Sequence, residues 1–229
     1  MRRALAPALL LAATACGGGA PAAYAPSPGS EGPAVAPRAS ATASPAAPRD
    51  LDVADPALRD ELLAMLAADQ AELGVGVPDG ARLPYPQDTS RERRLGAVLD
   101  AHGWPTVDLV GAQAATGAWV VAQHADDDLA LQQRAVALMR PAVAAGQADP
   151  VELAYLEDRV AVNTGQPQVH GTQVRCRGGV PSPATPLADT AGVDDRRAAL
   201  GLAPLAAYYG ELAPSCAQEA LDGADVTPG

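Results

Sequence analysis

Three short stretches concentrate side chains that can do chemistry. The first is Gln123-His124-Ala125-Asp126-Asp127-Asp128. On a helix, His124 and Asp128 stand one turn apart, a spacing at which a carboxylate can orient a general base or the two can share a metal, with Asp127 as a further acid. The second is Asp158-Arg159, with Asn163 one turn later. An Arg beside an Asp can clamp an anionic ligand, or it can act as an internal strut on loop carbonyls. The third is Gln168-Val169-His170-Gly171-Thr172-Gln173. There Gln168, His170, Thr172 and Gln173 can line a pocket, or they can satisfy the backbone of an irregular segment. His124 and Asp128 are the candidate catalytic pair. Gln123, Asp127, Asp158, Arg159, Gln168, His170, Thr172 and Gln173 are the candidate ligand-binding set. Each has a structural reading beside it, since His124 at a helix C-terminus satisfies carbonyls and the aspartates can cap the next helix.

The elements that must position these groups are mostly helices. Asp55-Pro56 is a cap-plus-proline start, and Leu58, Leu62, Met65, Leu66 and Leu73 recur at helical spacing until Gly74 to Pro78. Asp88-Thr89-Ser90 caps a second helix with the face Leu95, Val98, Leu99 and His102, stopped by Gly103. Trp104-Pro105 opens an extended link to Gly111. From Ala112 to His124 the residues are small or apolar on every side, which predicts a helix at the centre of a bundle. The next helix shows Leu131, Ala135, Leu138 and Ala142, with a kink at Pro141 and a stop at Gly146. Asp149-Pro150 starts another, with Leu153, Leu156 and Val160, ended by Gly165. The helical period is then lost. Gly178-Gly179 makes a turn, and Pro181, Pro183 and Pro186 allow at most a short hairpin or an edge strand. Short helices follow over 193–200 and from Pro204, where Leu205, Tyr208, Tyr209 and Leu212 are spaced as one face. The prediction is a mainly α fold, a compact bundle of five to seven helices with one irregular or β-hairpin segment near 166–186. The domain spans 51–216, and 217–229 reads as a loose acidic tail.

Composition narrows the function. The chain has 229 residues and a formal charge of −11, and its 16 basic residues are all Arg. It lacks the basic footprint that neutralises phosphates, so no nucleic-acid partner is expected. Arg2 and Arg3, the apolar stretch 4–13 and then Ala13-Thr14-Ala15-Cys16 read as a signal peptide over 1–15, too short to span a bilayer. Small residues before Cys16, then glycines, resemble the lipobox of bacterial lipoproteins. That resemblance implies lipidation of Cys16, although Ala13 stands where Leu is usual. Residues 17–50 hold 11 Ala and 7 Pro, a composition that cannot pack a core and reads as a tether from the lipid anchor. The expectation is an exported protein on the extracytoplasmic face of the cell membrane, with the membrane itself as one partner.

Cys176 and Cys216 remain as an even pair. In an exported protein a disulfide is favoured over two free thiols or a zinc pair recruiting His170, because neither Cys has a Cys-x-x-Cys spacing. No metal and no cofactor is assigned. The chain has no His-Glu-x-x-His, no Gly-x-Ser-x-Gly and no phosphate loop.

Gly103-Trp104-Pro105-Thr106, Gln123-His124-Ala125-Asp126, Tyr155-Leu156-Glu157-Asp158-Arg159-Val160, Gln168 to Gln173, Arg196-Arg197 and Gly201-Leu202 follow in order. Together they resemble a bacterial family catalogued only as a domain of unknown function, over about residues 57–212. His170 stands where that family usually has Tyr. The resemblance implies domain limits and site candidates and no reaction. The sequence therefore points to a binding or interaction module of the cell envelope, for an unidentified envelope protein or small ligand. The alternative is a hydrolase-like enzyme with His124 as general base or metal ligand.

Overall fold

The computed structural model of the protein describes residues 53–72 and 89–224. Cys16, the tether, Asp88 and the segment 73–88 lie outside the described residues. Eight helices and one hairpin occur among those described. They are α1 (Pro56–Glu72), α2 (Ser90–His102), α3 (Val107–Val110), α4 (Ala112–His124), α5 (Leu129–Ala144), α6 (Pro150–Asn163), β1 (Val174–Arg177), β2 (Val180–Pro183), α7 (Val193–Ala199) and α8 (Leu205–Ala224). The mainly α class with a short hairpin is as predicted.

The helix starts follow from capping chemistry. Asp55 accepts the Leu58 N–H at 3.0 Å, Asp128 accepts that of Leu131 at 2.9 Å, and Asp149 accepts that of Val151 at 2.6 Å. Thr89 precedes α2 without a side-chain cap bond, and Asp88, the other cap candidate, lies outside the described residues. The link after Trp104-Pro105 is not extended throughout. Residues 107–110 close one helical turn, which Gly111 ends at φ +84°. At the C-terminus, α8 continues past 216 to Ala224, through what reads as a tail. Ala217, Gln218, Glu219, Ala220 and Leu221 are good helix formers, and the helix is pinned at Cys216.

The core is built around α4, whose Ala114, Ala115, Ala118 and Ala122 are buried with Trp119, Val120 and Val121. Small residues let neighbouring helices come close. A Cβ on Gly117 would lie 2.7 Å from the Leu62 carbonyl oxygen, so α1 and α4 approach backbone to backbone there. Leu58, Leu62 and Met65 of α1 and Leu95, Val98 and Leu99 of α2 complete that side. On the other side Thr116 meets Glu152 and Trp119 meets Tyr155, both pairs 36 residues apart. A constant offset means that α4 and α6 run in the same direction, with α5 returning between them.

The hairpin pairs Val174 with Pro183 and Arg177 with Val180. Gly178 and Gly179 occupy its two-residue turn at φ +57° and +80°, which L-residues with side chains rarely adopt. Cys176 on β1 is bonded to Cys216 on α8, with Cα atoms 5.2 Å apart. The free-thiol and zinc alternatives are thereby set aside. Among the described residues no helix is long and apolar enough to cross a membrane, and no three His, Cys, Asp or Glu gather as a metal site.

Candidate functional site

The C-terminal ends of α1, α4 and α6 and the N-terminal ends of α2 and α5 carry one polar cluster. His124 closes α4, with its side chain one-fifth exposed. Its Nδ1 lies 2.9 and 3.0 Å from the two carboxylate oxygens of Asp69, which is buried on α1. A carboxylate only accepts, so Nδ1 carries the proton of this bond. The carboxylate that meets His124 is therefore Asp69. Asp128 instead spends its side chain capping α5, because α4 stops at Ala125 and the one-turn relation between 124 and 128 is lost. Asp69 had a signal in the sequence: it continues the stripe Leu58, Leu62, Met65, where a charge is out of place.

Beside this dyad stands Asp126. Arg159 of α6 donates Nε to its Oδ1 at 2.7 Å and a terminal nitrogen to its Oδ2. Asn163 adds its amide to Asp126 at 3.0 Å and to Gln132 at 2.9 Å. Gln132, fully buried on α5, donates toward the Gln123 carbonyl and Asp126. Arg159 is itself buried, and its remaining nitrogen donates to Gln173 at 3.2 Å. A guanidinium committed on both edges favours the strut over the anion clamp.

The outer wall is acidic. Asp126, Asp127 and Asp128 are exposed, and Glu92 of α2 comes up beside them. The Glu92 carboxyl is pushed above the usual range, first by burial and then by the fields of Asp128 and Asp127, against a smaller opposing pull from Arg91. Gln123 lies beneath, buried, with its side-chain oxygen lacking any donor. Glu92 and Gln132 join the site through tertiary contact alone.

The third stretch is held from below. Asp158, wholly buried, accepts from the Val169 N–H at 2.7 Å, the His170 N–H at 3.2 Å, the Thr172 N–H at 2.9 Å and the Thr172 hydroxyl at 3.0 Å. Gln168 is equally buried. Its amide donates to the Gln173 and Thr185 carbonyls, and its oxygen accepts the Gln173 N–H at 2.8 Å. Arg197, 1% exposed, donates to the His170 and Ala203 carbonyls and lies 4.9 Å from the Tyr208 ring centroid. Thus Asp158, Gln168 and Thr172 organise the segment 168–173. Its link to the acidic end is the Arg159–Gln173 bond. His170 uses its backbone in this arrangement, while its Nδ1 is buried without a partner.

A family model described as a family of unknown function (DUF6624) matches residues 56–216. The chain belongs to this family. The match coincides with the described domain from α1 to the disulfide at Cys216, so the DUF6624 region is the helical bundle together with its hairpin. No curated protein and no solved structure matches the chain.

Proposed function

We propose that this DUF6624 protein is a lipid-anchored binding module of the cell envelope, whose site is the acidic end of the bundle and whose partner presents a cationic group. One observation carries the reading. Glu92 is brought beside Asp126 to Asp128, where burial first and then the fields of Asp128 and Asp127 raise its carboxyl. Asp126 and Asp128 serve the fold through Arg159 and the α5 cap, but adding Glu92 and Asp127 beside them concentrates like charge, and groups kept at a cost to stability suit recognition. The rim is also preorganised. Asp126 is fixed by Arg159 and Asn163, and His124 by Asp69. Acceptors converging on one face suit an ammonium or guanidinium donor. A lysine-rich peptide titrated into the full chain should bind with an affinity that falls as salt rises. Replacing Glu92 and Asp127 together, Glu92→Gln with Asp127→Asn, should weaken it at least tenfold. Equal affinity in that variant would refute the site.

The anchoring rests on Arg2-Arg3, the short apolar core and Ala13-Thr14-Ala15-Cys16. A disulfide, a bond that persists in oxidising compartments, is in keeping with export. Labelled palmitate fed to a bacterial host should enter the wild-type chain and the membrane fraction. Cys16→Ser should abolish both, and unlabelled wild type would contradict the anchor.

A second reading has its own observation. Asp69 holding His124 Nδ1–H is the base-and-orienter half of a hydrolytic site. In that case the wild type would turn over an ester or amide panel and His124→Gln would abolish that turnover. Absence of turnover in the wild type would leave the binding module standing.

A further inference from the structure

The hairpin has two outer edges, and they differ. Ala184 donates its N–H to the Gln173 carbonyl at 2.9 Å, which makes 173 and 184 a hydrogen-bonded pair. Bonded and non-bonded pairs alternate along an antiparallel ladder, so Arg175 with Ser182 and Arg177 with Val180 are the next bonded pairs. The backbone groups of Val174 and Cys176 on β1, and of Pro181 and Pro183 on β2, therefore point outward. Both outward residues of β2 are prolines, which carry no N–H, so that edge cannot complete a further ladder. Both outward residues of β1 keep an N–H and a carbonyl.

The fold does not take up those groups. Thr172, the next outward residue towards the bundle, is saturated: its N–H goes to Asp158 and its carbonyl accepts the Tyr208 hydroxyl. Among the described residues no such bond reaches the backbone of Val174 or Cys176. The Cys176 sulfur is tied to Cys216, which is buried, yet Cys176 itself is only half-buried. Side chains alternate across a strand, so Arg175 and Arg177 share the face opposite the disulfide with Ser182 and Val180. Val180 is 60% exposed there, and Arg177 is exposed and forms no ion pair among the described residues. Arg175 donates a terminal nitrogen to the Ala184 carbonyl and leaves its Nε without a partner. In a chain of formal charge −11, this strand presents two arginines on one face.

We propose that the outer edge of β1 is a docking site for an extended acidic peptide, which adds to the hairpin as a third strand hydrogen-bonded to Val174 and Cys176. Main-chain bonds of this kind supply affinity, and side chains at every second position supply selection. Those side chains lie beside Arg175 and Arg177 on the shared face, where carboxylates pair with them and basic groups are repelled. A second copy of β1 is a poor occupant. In an antiparallel pair bonded through 174 and 176, odd-numbered residues face odd-numbered ones, which sets arginine against arginine. The proposal does not depend on the function assigned to the acidic end of the bundle.

The test adds a peptide of alternating glutamate and threonine to the full chain and follows amide shifts and amide exchange by NMR. In the free chain the Val174 and Cys176 amides should exchange fast, while that of Arg175, bonded to Ser182, stays slow. The peptide should shift and slow both fast amides. Arg177→Glu, a change on an exposed side chain, should weaken binding about tenfold, since a cross-strand attraction becomes a repulsion. The same peptide with glutamine in place of glutamate should bind more weakly to the wild type. Val174→Pro should abolish binding by removing a donor that the β1–β2 ladder does not use. Should Val174→Pro fail to fold, Arg177→Glu and the glutamine peptide decide. Slow Val174 and Cys176 amides in the dilute free chain, or equal affinity in Arg177→Glu or for the glutamine peptide, would overturn the site. Protection of those amides that grows with protein concentration in the absence of peptide would assign the edge to a second copy and overturn it equally.

Discussion

Without the carboxylate of Asp158, three backbone N–H groups and one hydroxyl would be left without their acceptor inside the protein. Asp158→Ala should therefore cost about 3–4 kcal/mol in urea unfolding, because each buried donor loses its bond and cannot regain water. A loss under about 1 kcal/mol would mean that the 168–173 segment is held by other means. His124 is a milder case, since its side chain is partly exposed while its partner Asp69 is buried. His124→Ala should cost about 2 kcal/mol, and a double-mutant cycle with Asp69→Ala should return a coupling of at least about 1 kcal/mol. Glu92 should behave in the opposite sense. Its carboxyl is raised, so ionisation costs stability as pH rises through its folded value, and Glu92→Gln should stabilise at neutral pH by about 0.5 kcal/mol after allowance for solvent screening. The same substitution contributes to the loss of peptide binding, the pattern of a residue retained for function. These three residues also mark what could be read in advance. Asp158 and His124 stood out as polar residues where a helix did not need them. Glu92 carried no signal in the sequence, because its neighbours at 126–128 reach it only through the packing of α2 against the α4–α5 turn.

At the scale of elements, local chemistry was legible and long-range chemistry was not. Asp55, Asp128 and Asp149 act through the next few residues, so their helix starts follow from the sequence. Gly178-Gly179 likewise forces its turn. The end of α8 could not be read in the same way, because what holds it is the bond from Cys216 to a strand 40 residues earlier. Replacing both cysteines with Ser should destabilise by about 4 kcal/mol on the loop-entropy estimate and free α8 from the hairpin. Melting with and without reductant checks it, and an unchanged midpoint would deny the staple its role. The α1–α4 contact gives a sharper test. Gly117→Ala places a methyl 2.7 Å from the Leu62 carbonyl oxygen, and backbone cannot step aside as a side chain can. The expected cost is about 1–3 kcal/mol, although Ala is the better helix former. A stabilised variant would show that α1 can move off α4. Such a shift would also loosen the Asp69–His124 bond one to two turns further on.

On the scale of the whole molecule, charge and architecture point the same way. An excess of 27 acidic over 16 basic residues is in keeping with the proposed cationic partner. The proposed anchor and tether would hold the bundle clear of the membrane, leaving its acidic end open to an envelope partner. What the sequence could not convey is how that end is assembled from five helices separated by up to a hundred residues. His124 and Arg159 were visible as candidates, but Asp69, which orients one, and the commitment of Asp126 to the other appear only in the folded protein. The most direct measurement is a map of peptide binding by proton–nitrogen NMR on the full chain carrying Cys16→Ser. Shifts on adding a lysine-rich peptide should concentrate at Glu92 and at His124 to Asp128, and Glu92→Gln with Asp127→Asn should erase them. Shifts spread evenly over the acidic surface, or unchanged in that variant, would contradict the account.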